Sequence, residues 1–265
     1  MKKTTLIKAF LAVGLCGSAA MAQSFTYNPG DLLVAFRSGS SSQNVIVDIG
    51  SASFYENATG SFNISGVNAA LFTSTLGTMD NVYWSVFGYV NTTGSAIGVQ
   101  NTIFVSDPRS DILTQNDPNS SLTFSGQGQA ISKMRAIADG ATSGYATILS
   151  DQIIVLSSSL NVGGDPVSYT VGVGPFGDFN GTWSPAVENL TGSGFSSGST
   201  PSVSDLFQQT PGAANNGTYL GNFQFNNNGT LQFTSVTPAP EPSTWALLVA
   251  GGMTLLVVRR FKYNQ

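Results

Sequence analysis

The chain has 265 residues, a formal net charge of −4 and no histidine. Charged residues make up 9% of it, against a usual share of about 25%, so its water-facing surface must rely on hydroxyls and amides. With no histidine, and with its one cysteine, Cys16, inside the leader described next, Ser-His-Asp and Cys-His catalysis are excluded, and zinc and most transition-metal sites are argued against.

Residues 1–22 read as a secretory signal peptide. Lys2, Lys3 and Lys8 give a positive start, and residues 9–20 are uncharged and mostly apolar. Ala20-Met21-Ala22 is a small-x-small cleavage site, which places the cut between Ala22 and Gln23. Cys16 follows Leu15, where a lipoprotein signal requires a small residue. Removing the leader removes the only cysteine, so the mature body has no disulfides.

Residues 23–237 read as a β-rich extracytoplasmic domain. Their four basic residues, Arg37, Arg109, Lys133 and Arg135, face thirteen acids, a net charge of −9. Such a surface repels phosphates, so no nucleic-acid partner is expected. Runs rich in β-branched and aromatic residues, bounded by Gly, Asn, Ser or Pro, predict strands at 32–37, 45–49, 82–90, 102–105, 153–156, 169–173, 219–225 and 231–236. Helical spacing predicts helices at 67–76 and 127–138, the second with Gly140 beyond its end. Residues 192–202 read as a Ser/Gly-rich loop. For the last two strands, a three-residue loop Asn227-Asn228-Gly229 sets Phe225 opposite Leu231 and Phe223 opposite Phe233. That loop requires a left-handed residue at its end, where Gly229 stands. The fold class is therefore mainly β: an antiparallel, β-sandwich-like body with one or two short helices.

Within the body, carboxylates are the remaining candidates for chemistry. Glu56, Glu188 and eleven aspartates are present, but no pair is singled out for the two-carboxylate hydrolysis of glycosides. Asp107, Asp111 and Asp117 form an acidic loop with Asn116 and Asn119, and Asp178-Phe179-Asn180-Gly181 matches part of a calcium loop. The later acidic ligand of a calcium loop is missing, and ordinary turn capping is the simpler explanation of both. Gly163-Gly164 and the glycines of 172–177 lack the lysine or spacing of a phosphate loop. Trp84, Trp183, Tyr169 and Tyr219 are candidates to stack on sugar rings, with core packing as the simpler expectation. Sequons occur at Asn91 and Asn189. No catalytic residue, cofactor or metal ligand is assigned, and the chain is read as a non-enzyme.

Composition changes abruptly at residue 238. Pro238, Pro240 and Pro242 remove backbone donors and fix φ, which gives a stiff spacer. Residues 245–258 carry no charge, and Arg259, Arg260 and Lys262 follow at once. A helix from 243 to 258 spans roughly 24 Å at about 1.5 Å per residue, against a hydrocarbon core of about 30 Å. Its flanks favour a membrane: Trp245 suits the outer interface, and the basic cluster suits the cytoplasmic face and can snorkel. The expectation is a single hydrophobic helix with the body outside.

This tail, residues 238–265, resembles the PEP-CTERM sorting signal of Gram-negative bacteria. Pro240-Glu241-Pro242-Ser243-Thr244-Trp245-Ala246-Leu247-Leu248, the apolar run and Arg259-Arg260 carry the resemblance. It implies an exosortase-type membrane protease-transferase as partner, with Pro240, Glu241, Pro242, Arg259 and Arg260 as recognition residues. It also implies delivery to the envelope or extracellular matrix, a gene often beside exopolysaccharide genes, and extracellular polysaccharide as a partner. Residues 30–37, 219–223 and 229–233 are loosely similar to secreted proteins that carry this tail, which implies no activity. The expected function is a non-enzymatic envelope or matrix protein, held in the inner membrane through 243–258 before processing. The alternatives are a carbohydrate-binding module for exopolysaccharide and a carboxylate-dependent glycoside hydrolase.

Overall fold

The computed structural model describes residues 24–118, 123–142, 146–159, 161–162, 165–166, 187–212 and 217–236. The leader with its Ala22/Gln23 cut, the strand expected at 169–173, Gly163-Gly164, the glycines of 172–177, the Asp178–Gly181 loop, Tyr169, Trp183 and the whole tail, including Pro240, Glu241, Pro242, Arg259 and Arg260, lie outside the described residues.

The described body is mainly antiparallel β-structure with few helices. In chain order the elements are β1 (Asp31–Ser38), β2 (Gln43–Ser51), α1 (Ala52–Glu56), β3 (Ser61–Asn63), α2 (Ala69–Thr75), β4 (Val82–Val90), β5 (Thr102–Pro108) and α3 (Phe124–Thr142). There follow β6 (Thr147–Ile148), β7 (Ile153–Ser157), β8 (Asn161–Val162), β9 (Asp165–Pro166), β10 (Asn189–Leu190), β11 (Ser202–Gln209), β12 (Thr218–Phe225) and β13 (Leu231–Ser235). Among the described residues the main sheet has eleven strands. Its order is β3-β13-β12-β11-β5-β4-β1-β2-β7-β6, with β10 also paired to β4, and β8 pairs with β9 apart from it.

One continuous sheet thus stands where two packed sheets were expected, and it produces layering by coiling. Phe36 on β1 and Phe225 on β12 are four strand steps apart, which is roughly 19 Å in a flat sheet. Their ring centroids are 5.4 Å apart. The β12–β13 half therefore curls over to face the β1–β4 half, as the native strand twist favours.

The central strands are buried on both faces. Leu32, Val34 and Phe36 of β1 enter one core with Trp84, Phe104, Phe223, Phe225, Leu231 and Phe233; α1 and α2 contribute Tyr55, Leu71 and Phe72. Leu33 and Ala35 enter a second core beneath α3, whose Ala130, Ile131, Met134, Ile137 and Ala138 line the shared face. This double burial is why 32–36 is an unbroken apolar run rather than an alternation. By contrast, β12 and β13 alternate Phe223 and Phe225 with Asn222 and Gln224, because only one face is dry.

Local signals set the boundaries. Asn68 accepts from the Leu71 N–H at 3.1 Å and caps α2, which starts two residues after the expected 67. The helix expected at 127–138 is longer: the Thr123 hydroxyl accepts from the Gly126 N–H, and α3 continues through Gly140 to bury Ala141. The final hairpin has the expected register, Phe225 opposite Leu231 and Phe223 opposite Phe233. Asn226 donates to the Thr230 carbonyl at 2.8 Å, and Gly229 has φ +80°.

Candidate functional site

β11 was not legible in the sequence, and it organises the polar interior. Its Asp205 is 0% exposed and stands opposite Asp107 of β5. Arg109, just past β5, donates from Nε to Asp205 Oδ1 at 2.8 Å, and its Nη2 lies 2.6 Å from the same oxygen. Nη2 also reaches the Tyr219 hydroxyl at 3.1 Å, and Nη1 donates to the Ile112 carbonyl. The Asn116 N–H supplies Asp205 Oδ2 at 2.7 Å. Burial, and then the charge of Asp205, push the Asp107 carboxyl up to about 6.

This geometry accounts for much of the acidic loop. Asp111 accepts from the Leu113 N–H and the Thr114 hydroxyl, which hold its carboxyl below the usual range. Asn116 donates to the Pro108 carbonyl at 2.9 Å. These are turn-capping and ion-pair contacts, and no group of three metal-ligating side chains occurs among the described residues. Asp107 and Asp205 form a close carboxyl pair, but glycoside hydrolysis requires two carboxyl groups flanking a bound glycosidic bond. Asp205 has no exposed surface, so this pair holds charge rather than meeting a ligand.

The two glutamates also have partners. Glu188 and Arg37 form a buried bidentate pair at 2.9 and 2.7 Å, with the Tyr83 ring 3.8 Å from the guanidinium carbon. Glu56 accepts from Gln208 Nε2, and burial raises its carboxyl. The only described tryptophan, Trp84, is 0% exposed; it donates from Nε1 to Ser202 Oγ at 2.9 Å and packs against Phe36 and Phe225. It is therefore core and not a sugar platform. Tyr219 packs on Phe207 and bonds Arg109. The Asn189 sequon is closed to modification, since its buried amide donates to the Val203 carbonyl and to Ser204 Oγ.

A cavity of about 330 Å³ lies between Arg109, Ile112 and Leu190 and the Ser/Gly-rich loop, which lines it with Phe195 and Thr200. Its walls are tied down. The Thr191 hydroxyl donates to the Met79 carbonyl at 2.7 Å, the Ser196 N–H donates to Asp80 at 2.7 Å, and Asn227 bonds the Gly198 carbonyl.

The chain matches no family model, no curated protein and no solved structure.

The Arg109 cluster escaped the sequence reading because its members come from β5, β11, β12 and the loop after β5. One signal did exist for the other buried arginine. Arg37, one of only four basic residues in a 215-residue body, ends the apolar strand run 32–36, where an arginine requires a buried partner.

Proposed function

We propose that this chain is an exported, non-enzymatic envelope or extracellular-matrix protein, sorted through a PEP-CTERM-like tail by an exosortase-type enzyme. The observation that carries this reading is the order of parts. A basic and then apolar stretch ending in Ala20-Met21-Ala22 precedes a hydroxyl- and amide-rich body, and Pro240-Glu241-Pro242, an uncharged run and Arg259-Arg260 follow it. In this reading, residues 243–258 form a single hydrophobic helix that holds the precursor in the inner membrane with the sandwich-like body outside. No helix of the described residues is long and apolar enough to cross a membrane. The glutamates, Asp205 and Asp111 support a non-enzymatic body, since their carboxyls are held in ion pairs, a turn cap and a glutamine contact.

Fractionation with immunoblotting and mass spectrometry of both termini tests the proposal. The wild-type product is expected to begin at Gln23 and to leave the inner membrane with a shortened tail. Glu241→Ala is expected to accumulate as the membrane-held precursor, because an acid between two prolines is the distinctive part of the signal. Normal processing and release of the variant would overturn the sorting role.

A further inference from the structure

A second concavity lies where β2 gives way to α1. Gly50, at φ +88°, turns the chain sharply, and the Ser51 hydroxyl accepts from the Ser53 N–H to cap α1. This turn sets Phe54 and Tyr55 beside Phe62 of β3, with ring centroids 5.0 Å (Phe54–Phe62) and 6.0 Å (Tyr55–Phe62) apart. With Asp48, Asn63 and Gln152 they line a cavity of about 210 Å³.

Its floor is rigid and its rim is open. Tyr55 is buried and donates to the Ile49 carbonyl at 2.7 Å. Phe54 is 55% exposed, and Asn63 and Gln152 are exposed beside it. A scattered apolar residue on a surface calls for no explanation. Here, however, a ring more than half exposed borders a cavity that also presents a carboxyl and two amides. Asp48 Oδ1 accepts from the Gly50 N–H at 2.8 Å. Among the described residues, Asn63 uses Oδ1 for a long contact from Gln232 and its two N–H donors face no protein acceptor.

We propose that this cavity binds one pyranose unit of a neutral glycan. The C–H face of a sugar ring is apolar and its edge carries hydroxyls. Phe54 offers a face for the first, and Asp48, Asn63 and Gln152 offer acceptors and donors for the second. The volume lies below the ~300–1,000 Å³ of pockets for drug-sized ligands, so it suits one ring rather than several. Asp48 at the cavity, on a body of net charge −9, disfavours uronic acids. Burial pushes the Asp48 carboxyl up to about 6, with Asp31 adding to the rise, and a hydroxyl donor from the ligand favours its ionised form. The site is independent of sorting, since a chain with an unprocessed tail would still bind.

Calorimetric titration of the full-length chain, in a zwitterionic sugar-free detergent, with neutral hexose oligosaccharides and with oligogalacturonate tests this assignment. Wild type is expected to bind a neutral saccharide at least tenfold more tightly than the uronate. Phe54→Ala and Asp48→Asn are each expected to weaken binding at least tenfold with unchanged circular dichroism. No neutral saccharide bound, a preference for the uronate, or full affinity retained by both folded variants would each overturn it.

Discussion

Asp205 on β11 stands directly across from Asp107 on β5, and Arg109 holds the first through two contacts of 2.6 and 2.8 Å. Two acids side by side in an interior repel each other, so the arginine is what makes the pair tenable. Replacing Asp205 with Asn leaves a largely buried guanidinium without its counter-charge and is expected to cost about 3 kcal/mol. Replacing Asp107 with Asn relieves the repulsion and is expected to leave stability at pH 8 unchanged or raised by about 1 kcal/mol. Urea unfolding of the two variants measures the asymmetry, and equal losses would contradict it.

The same arrangement gives stability a pH dependence of defined sign. Asp48 and Asp107 have folded pKa values of about 6, above the usual 3.8. The folded state therefore binds their protons more tightly than the unfolded state does. Their contribution is fully present below about pH 4 and is lost as pH rises through 6. The gap is worth at most about 3 kcal/mol per group, and solvent screening lowers it to about 1–2. Asp80 and Asp111 are shifted the other way by hydrogen bonds from Ser196 and Leu113, so their small contributions fade below pH 4. The urea midpoint is expected to rise from pH 7.5 to pH 5, and the double variant Asp48→Asn/Asp107→Asn is expected to flatten that rise.

Legibility followed the range of the interactions. β4 matches its predicted bounds of 82–90, and both predicted helices are present, because apolar runs and helical spacing are local signals. β11 was missed because Ser204, Asp205, Gln208 and Gln209 interrupt its apolar pattern, although Ser204, Asp205 and Gln209 are fully buried. Asp205 is satisfied by Arg109, ninety-six residues away in the chain, and no local window carries that. α1 was missed because five residues hold too little periodicity; its start rests on the Ser51 cap. Trp84 was ambiguous because β4 is apolar on both faces, so its sequence does not separate core from platform. The Phe54 cavity was illegible because it joins α1 to residues either side of it and to Gln152.

Gly229 couples the last hairpin to α2. Its φ of +80° closes the three-residue loop, and a Cβ there would overlap the backbone of Ala69, the first residue of α2. Gly229→Ala is expected to cost more than the roughly 1–2 kcal/mol of left-handed strain, because the overlap with backbone adds to it. Asn228→Ala, one residue earlier, loses only the Asn228 Oδ1 contacts to Thr230 and is expected to cost about 1 kcal/mol. Thermal melts of the two variants separate the packing role of Gly229 from simple turn propensity.

Phe225 is the side chain through which the coiled sheet closes on itself. Its ring lies 5.4 Å from Phe36, 4.9 Å from Phe72, 6.2 Å from Trp84 and 5.3 Å from Phe195, so one residue joins β1, α2, β4 and the 195–197 turn. Phe225→Ala opens a cavity at that junction and is expected to cost about 3–5 kcal/mol. Phe225→Leu keeps most of the volume but loses the ring contacts, and is expected to cost about 1–2 kcal/mol. In a background that carries Trp183→Phe and Trp245→Phe, the near-ultraviolet tryptophan dichroism comes from Trp84 and reports the effect. Loss of that signal in Phe225→Ala before the far-ultraviolet strand signal changes would show the two halves separating while each keeps its strands. Simultaneous loss of both signals would instead mean that the halves fold as one unit and that neither holds its strands without the other.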